Sequence, residues 1–172
     1  MVVAFLCLSG CAAHRSPSPN LPLTSHIQVR EFEVAGARVE SFHDPVAPFG
    51  KQAAEEVAKE LRAYGLNAEA IGRDAPATAD VVVEGRVTEI DGGSRVTRWR
   101  RHGIGATPDL TRFGVTGRVT RGERTLGEFA SSDVRRSAYD LEDRHDMLSE
   151  NVEIVADEVA EAIASGNYGT RN

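Results

Sequence analysis

The residue pattern predicts an α+β fold. It is a two-layer sandwich with a mixed, mostly antiparallel sheet and two helices on one face, in the order β-α-β-β-β-β-α. Three observations carry this. Two segments place apolar residues at helical spacing: Ala54, Val57, Ala58 and Leu61, then Leu148, Val152, Val155, Ala156, Val159 and Ile163. Between 112 and 121 the chain alternates, with Phe113, Val115, Gly117 and Val119 on one side and Arg112, Thr116, Arg118 and Thr120 on the other, as in a half-buried strand. The run Val81-Val82-Val83 predicts a central strand buried on both faces.

The elements follow in order. Ile27, Val29, Phe32 and Val34 are apolar with one slip of phase at Arg30-Glu31, which predicts a strand with a bulge. Ala35 to Phe49 holds Gly36, Pro45 and Pro48 and is expected to be a long loop. A helix is expected from Gly50 to Tyr64, stopped by Gly65 in a left-handed cap. Leu66 to Ile71 then returns as a short strand, so the first two strands should be parallel neighbours. The strand from Asp80 to Ile90 ends at the turn signal Asp91-Gly92-Gly93. Ser94 to His102 is polar and basic, an edge strand or ribbon, before a loop at 103–108. Arg112–Arg121 and Leu126–Arg136 form a hairpin around Gly122-Glu123-Arg124-Thr125. The last helix is capped by Gly166, and residues 167–172 are expected to fray.

Upstream of this domain, an apolar run from Val2 leads into Leu8-Ser9-Gly10-Cys11. A small residue before cysteine is what a lipoprotein signal peptidase cuts behind. The expectation is a signal segment at 1–10, cleavage between Gly10 and Cys11, and lipid on the Cys11 sulfur. No Lys or Arg precedes the box and the apolar run is short for a signal peptide, which points to a start codon placed too late. Residues 11–25, with Pro17, Pro19 and Pro22, are expected to be an extended tether, and 26–166 a single domain. The alternative is a cytoplasmic protein with an accidental apolar start. With Cys7 removed and Cys11 acylated, no thiol remains for a disulfide, a metal or a nucleophile.

The composition is globular, 41% hydrophobic and 27% charged, and a formal charge of −6 argues against nucleic acid as a partner. Lys51 and Lys59 are the only lysines among 20 basic residues, which reflects genome bias before function. Arg95, Arg98, Trp99, Arg100 and Arg101 form the candidate contact surface, because guanidinium forks suit carboxylate and phosphate and tryptophan adds stacking area. Against that stands a solvated edge strand whose charges block edge-to-edge pairing. Gly103-x-Gly105 lacks the third glycine of a dinucleotide loop, so no cofactor is expected. Asp140, Glu142, Asp143, His145 and Asp146 lack the glycine of a calcium loop and suit a helix start, so no metal is expected either. His14, His26, His43, His102 and His145 are scattered, Glu55-Glu56 lie off the apolar stripe, and no nucleophile elbow or triad is visible. No enzyme activity is expected.

The run Glu84–Arg95, with Gly103-x-Gly105 and Thr116-Gly117-Arg118-Val119, resembles a family of bacterial envelope proteins known only as a domain of unknown function. The likeness spans Ile27 to Ile163 and rests mostly on glycine placement. Ala53 to Ile90 is also similar to the α/β domain of several envelope lipoproteins: the curli secretion lipoprotein, the lipoprotein activators of peptidoglycan synthases, and the N-terminal domain of the Tol system's periplasmic protein. That resemblance implies a partner-binding domain without catalytic residues. With Ala12 after the cysteine, it also implies the periplasmic face of the outer membrane. The expected function is a non-enzymatic anchored protein that binds another envelope protein or an anionic envelope component. A structural subunit of an envelope or secretion complex is the alternative, and an envelope hydrolase a third.

Overall fold

Pro48 decides where the first helix begins. A proline in the first turn loses no hydrogen bond, so α1 spans Ala47–Ala63, starting three residues before the expected Gly50. The computed structural model describes residues 21–40, 42, 44–93, 110–136, 144–168 and 170–171. The strands are β1 (His26–Arg30), β2 (Arg38–Glu40), β3 (Asn67–Ile71), β4 (Val81–Asp91), β5 (Leu110–Arg121), β6 (Arg124–Arg136) and β7 (Thr170–Arg171); the second helix, α2, spans Arg144–Ser165.

These strands form one sheet, β3-β1-β4-β5-β6-β7, with β2 also paired to β4. The two longest pairings, β4 with β5 and β5 with β6, are antiparallel. β1 is parallel to both β3 and β4, as a β-α-β unit requires. Helices α1 and α2 pack on each other and on the sheet, α1 against β1, β3 and β4 and α2 against β5 and β6. Between them lie Ile27, Val29, Val83, Val87, Ile90, Phe113, Val115 and Val119, all at most 2% exposed, with the predicted stripes of both helices. Gly65 (φ 81°) and Gly166 (φ 67°) end the two helices in the left-handed region, as expected.

Several expectations need correction. Residues 26–40 do not form one bulged strand and a loop. They follow β4 in three parallel steps: Ile27–Val29 beside Val81–Val83, Glu33 beside Arg86, and β2 beside Glu89–Asp91. β2 sits inside the expected loop. Its three residues are all exposed, so it carries no periodic apolar signal. Val82 is half-buried while Val81 and Val83 are fully buried, because helices cover only one face of β4. Leu21 is 1% exposed in the core, so packing starts inside the expected tether. Residues 170–171 do not fray: β7 pairs in parallel with Ala130 and Ser131 of β6. The Tyr168 ring lies where a side chain on Gly127 would stand, 2.1 Å from an ideal Cβ there. Burial pushes the Tyr168 phenol up, with Arg121 acting in the opposite direction.

One polar group is sunk between helix and sheet. Asn151 is 0% exposed; its Nδ2 donates to the carbonyls of Thr111 (3.3 Å) and Asp133 (3.2 Å), and its Oδ1 accepts from the Thr111 hydroxyl (3.1 Å). Asn151→Leu leaves these partners unmatched and is expected to destabilise by about 2–3 kcal/mol, measured by urea unfolding.

Candidate functional site

Strand direction gives the domain two poles. β1, β3 and β4 all begin where residues 21–25 enter, and β5 runs back so that Asp91 pairs with Arg112 at the other end. Gly93 and Leu110, which flank residues 94–109, therefore sit at the pole away from the N-terminal segment. Twelve residues of β5 separate the poles by roughly 40 Å. The candidate contact residues Arg95, Arg98, Trp99, Arg100 and Arg101 lie outside the described residues, as do Gly10, Cys11 and the Gly103-x-Gly105 loop. Asp140, Glu142 and Asp143 also lie outside them, while His145 and Asp146 fall in the first turn of α2.

The described residues present a different feature, the sheet face that no helix covers. Alternation along the strands puts Glu84, Arg118 and Glu128 side by side in register across β4, β5 and β6, with Arg30, the residue after the Val29–Val83 pair, at the β1 end of the row. Their charges alternate in sign. Arg118 donates to Glu84 at 2.8 Å and 3.2 Å, and Arg30 Nε lies 3.5 Å from the same carboxylate. Opposite charges across neighbouring strands stabilise a sheet modestly, and these pairs are exposed enough for water to screen them. Glu33, Arg86, Thr116 and Ala130 continue the face and line a shallow groove with Glu84, Arg118 and Glu128. The strand pattern at 112–121 marked Arg118 and Thr116 as outward, but it carried no signal for which residues would stand beside them.

One side of this face carries a ridge. Residues 72–80 return from β3 to β4 across β1, held by two side chains. Gln28, 4% exposed, accepts from the N–H groups of Thr78 (2.8 Å) and Ala79 (3.2 Å), and donates to Glu69 (2.8 Å) and the Thr78 hydroxyl (3.1 Å). Arg30 donates to the carbonyls of Arg73 and Ala75. The Gln28 amide, and then His26 at 3.1 Å, hold the Glu69 carboxyl below its ordinary value. A carboxyl lowered by folding adds stability above its unfolded pKa, and that stability is lost as pH falls through the folded value. Gln28→Leu is expected to move the Glu69 midpoint up toward the usual carboxylate range, read by NMR titration.

No helix of the described residues is long and apolar enough to cross a membrane. Among those residues no group of three or more His, Cys, Asp and Glu is placed to hold a metal.

Comparisons with known proteins agree on the fold. A family model described as a domain of unknown function, DUF4410, matches residues 27–134. No curated protein matches the chain. Among solved structures it is similar to protein XCC0632 from Xanthomonas campestris, of the DUF330 family. That likeness has 13% identity and a TM-score of 0.56, over 87% of this chain and 90% of that one. It is also similar to the PelC dodecamer from Paraburkholderia phytofirmans, with 18% identity and a TM-score of 0.55, over 87% of this chain and 94% of that one. Identities this low show a shared fold and nothing more.

Proposed function

The chain belongs to the DUF4410 family, a domain of unknown function, and we propose that it is a non-enzymatic lipoprotein of the cell envelope. Cys11 carries the lipid, the segment after it tethers the α+β domain to the periplasmic face of the outer membrane, and the domain binds another envelope component. The observation that carries this is Leu8-Ser9-Gly10-Cys11 behind an apolar run. One acyl chain anchors marginally, whereas the two or three of a processed lipoprotein hold stably. The two poles support the partner-binding half: Gly93 and Leu110, which flank the basic segment, lie at the end away from residues 21–25, and we assign the partner contact to Arg95, Arg98, Trp99, Arg100 and Arg101. The similarity of Ala53–Ile90 to partner-binding envelope lipoprotein domains supports the same reading.

Cys11→Ala is expected to leave the protein unprocessed and outside the detergent phase on phase partitioning. Undiminished partitioning of that variant would refute the anchor. The second reading, a structural subunit of an envelope or secretion assembly, draws support from the similar PelC chain, described as a dodecamer. Native mass measurement on solubilised envelopes separates the two: discrete heteromeric species favour the first, a ladder of many identical copies the second.

A further inference from the structure

We propose that the uncovered sheet face pairs with the same face of a second copy of this chain, about a two-fold axis that runs along the strands between β4 and β5. This rests on the anchored reading above, because both copies must present their tethers to one membrane. A two-fold axis along the strands preserves strand direction, so both N-terminal poles point the same way. An axis across the strands would turn one tether away from the bilayer.

The membrane thus selects the axis, and the charges on the face match that choice. The rotation sets β4 of each copy opposite β5 of the other. By the observed register, Glu84 then faces the second copy's Arg118, Asp91 faces its Arg112, and Arg86 faces its Thr116, each relation occurring twice. The two remaining outward pairs along β4 and β5 hold at most one charge each, so no like charges oppose one another between these two strands. Shape follows the same symmetry. The ridge at 72–80 lies over β1, and the axis carries it onto β6 of the other copy, where the groove lined by Glu128 and Ala130 is open. Aligned sheets pack about 10 Å apart with a small angle between strands, which this axis permits.

Glu84 and Arg118 have side chains 36% and 59% exposed, so their contacts are weak in dilute solution. Anchoring both copies in one bilayer raises their effective concentration and makes a weak polar face sufficient.

The test is thiol cross-linking of the full-length protein in native envelopes with a short bis-maleimide. Thr116→Cys lies beside the axis and is expected to give a two-copy band, while the unsubstituted protein and Glu153→Cys, on the exposed side of α2, give none. Arg118→Glu or Glu84→Arg alone sets like charges face to face and is expected to cut the band about tenfold. The double exchange Glu84→Arg with Arg118→Glu restores opposite charges and the band. A Thr116→Cys band no stronger than that of Glu153→Cys, or one indifferent to the single reversals, overturns the pairing. Fractionation of the same samples judges the anchor separately. A soluble chain refutes the lipid and with it the membrane's choice of axis, whereas an anchored chain without the Thr116→Cys band refutes the face alone.

Discussion

Gly117→Ala is expected to lower the unfolding free energy by about 3 kcal/mol or more, a fall in Tm of roughly 10 °C, read by thermal and urea unfolding. Gly117 pairs with Gly85 at the centre of the β4–β5 register and with Phe129 on β6. An ideal Cβ at position 117 would stand 2.3 Å from the Phe129 ring, 2.4 Å from the Glu84 carbonyl oxygen and 2.9 Å from the Gly85 Cα. A ring can swing, but the other two atoms belong to the central strand and can move only if the ladder opens. The rings of Phe129 and Phe32, 6.3 Å apart by centroid, occupy the floor that these glycines leave bare. For Gly85→Ala the three nearest atoms to the added Cβ all belong to the Phe32 ring, the closest at 2.8 Å, and the change is expected to cost less than Gly117→Ala. Equal losses at the two positions would show that ring displacement, not backbone collision, sets the cost.

Gly50→Ala is expected to destabilise by about 2–3 kcal/mol, although helix propensity alone would make it stabilising by roughly 1 kcal/mol. Gly50 is buried in the first turns of α1, where the helix rests on the segment leaving β1. An added Cβ would stand 2.2 Å from the Phe32 carbonyl oxygen and 2.9 Å from Val34 Cγ2. The Phe32 N–H also donates to the Gly50 carbonyl at 3.1 Å, so separating the two backbones breaks that bond as well. Collision with a backbone held on both sides outweighs the entropy an alanine would save. Gly72→Ala meets nothing within 4 Å and serves as the control, expected to stay within about 0.5 kcal/mol of the parent in the same urea unfolding.

These two glycines show how the chain was legible. Gly117 stood in the strand pattern as one more small inward residue, and Gly50 as the start of a helix. Neither position revealed that a second backbone lies against it. The helix stripes were visible because each buried residue repeats the phase of its neighbours, as from Leu148 to Ile163. β2 was not visible, since Arg38, Val39 and Glu40 are all exposed and bury nothing. β7 was hidden for a different reason: two residues hold no period, and their place depends on Gly166 reversing the chain and on Tyr168 finding the bare surface of Gly127. Of the candidate site, the residue types at 95–101 and the Cys11 box were plain in the sequence. The charged row on the open face was not, because Arg30, Glu84, Arg118 and Glu128 come from four separate strands.

The sequence by itself determined the α+β class, the two helices with their glycine caps, the parallel β-α-β start and the hairpin, all through patterns complete within a few residues. Tertiary structure decided which strands stand side by side, which charges meet across them, and that the N-terminal segment enters at the pole opposite the flanks of the basic segment. Those relations join residues tens of positions apart. They are set by strand register and by close backbone contact, and neither leaves a period in the chain.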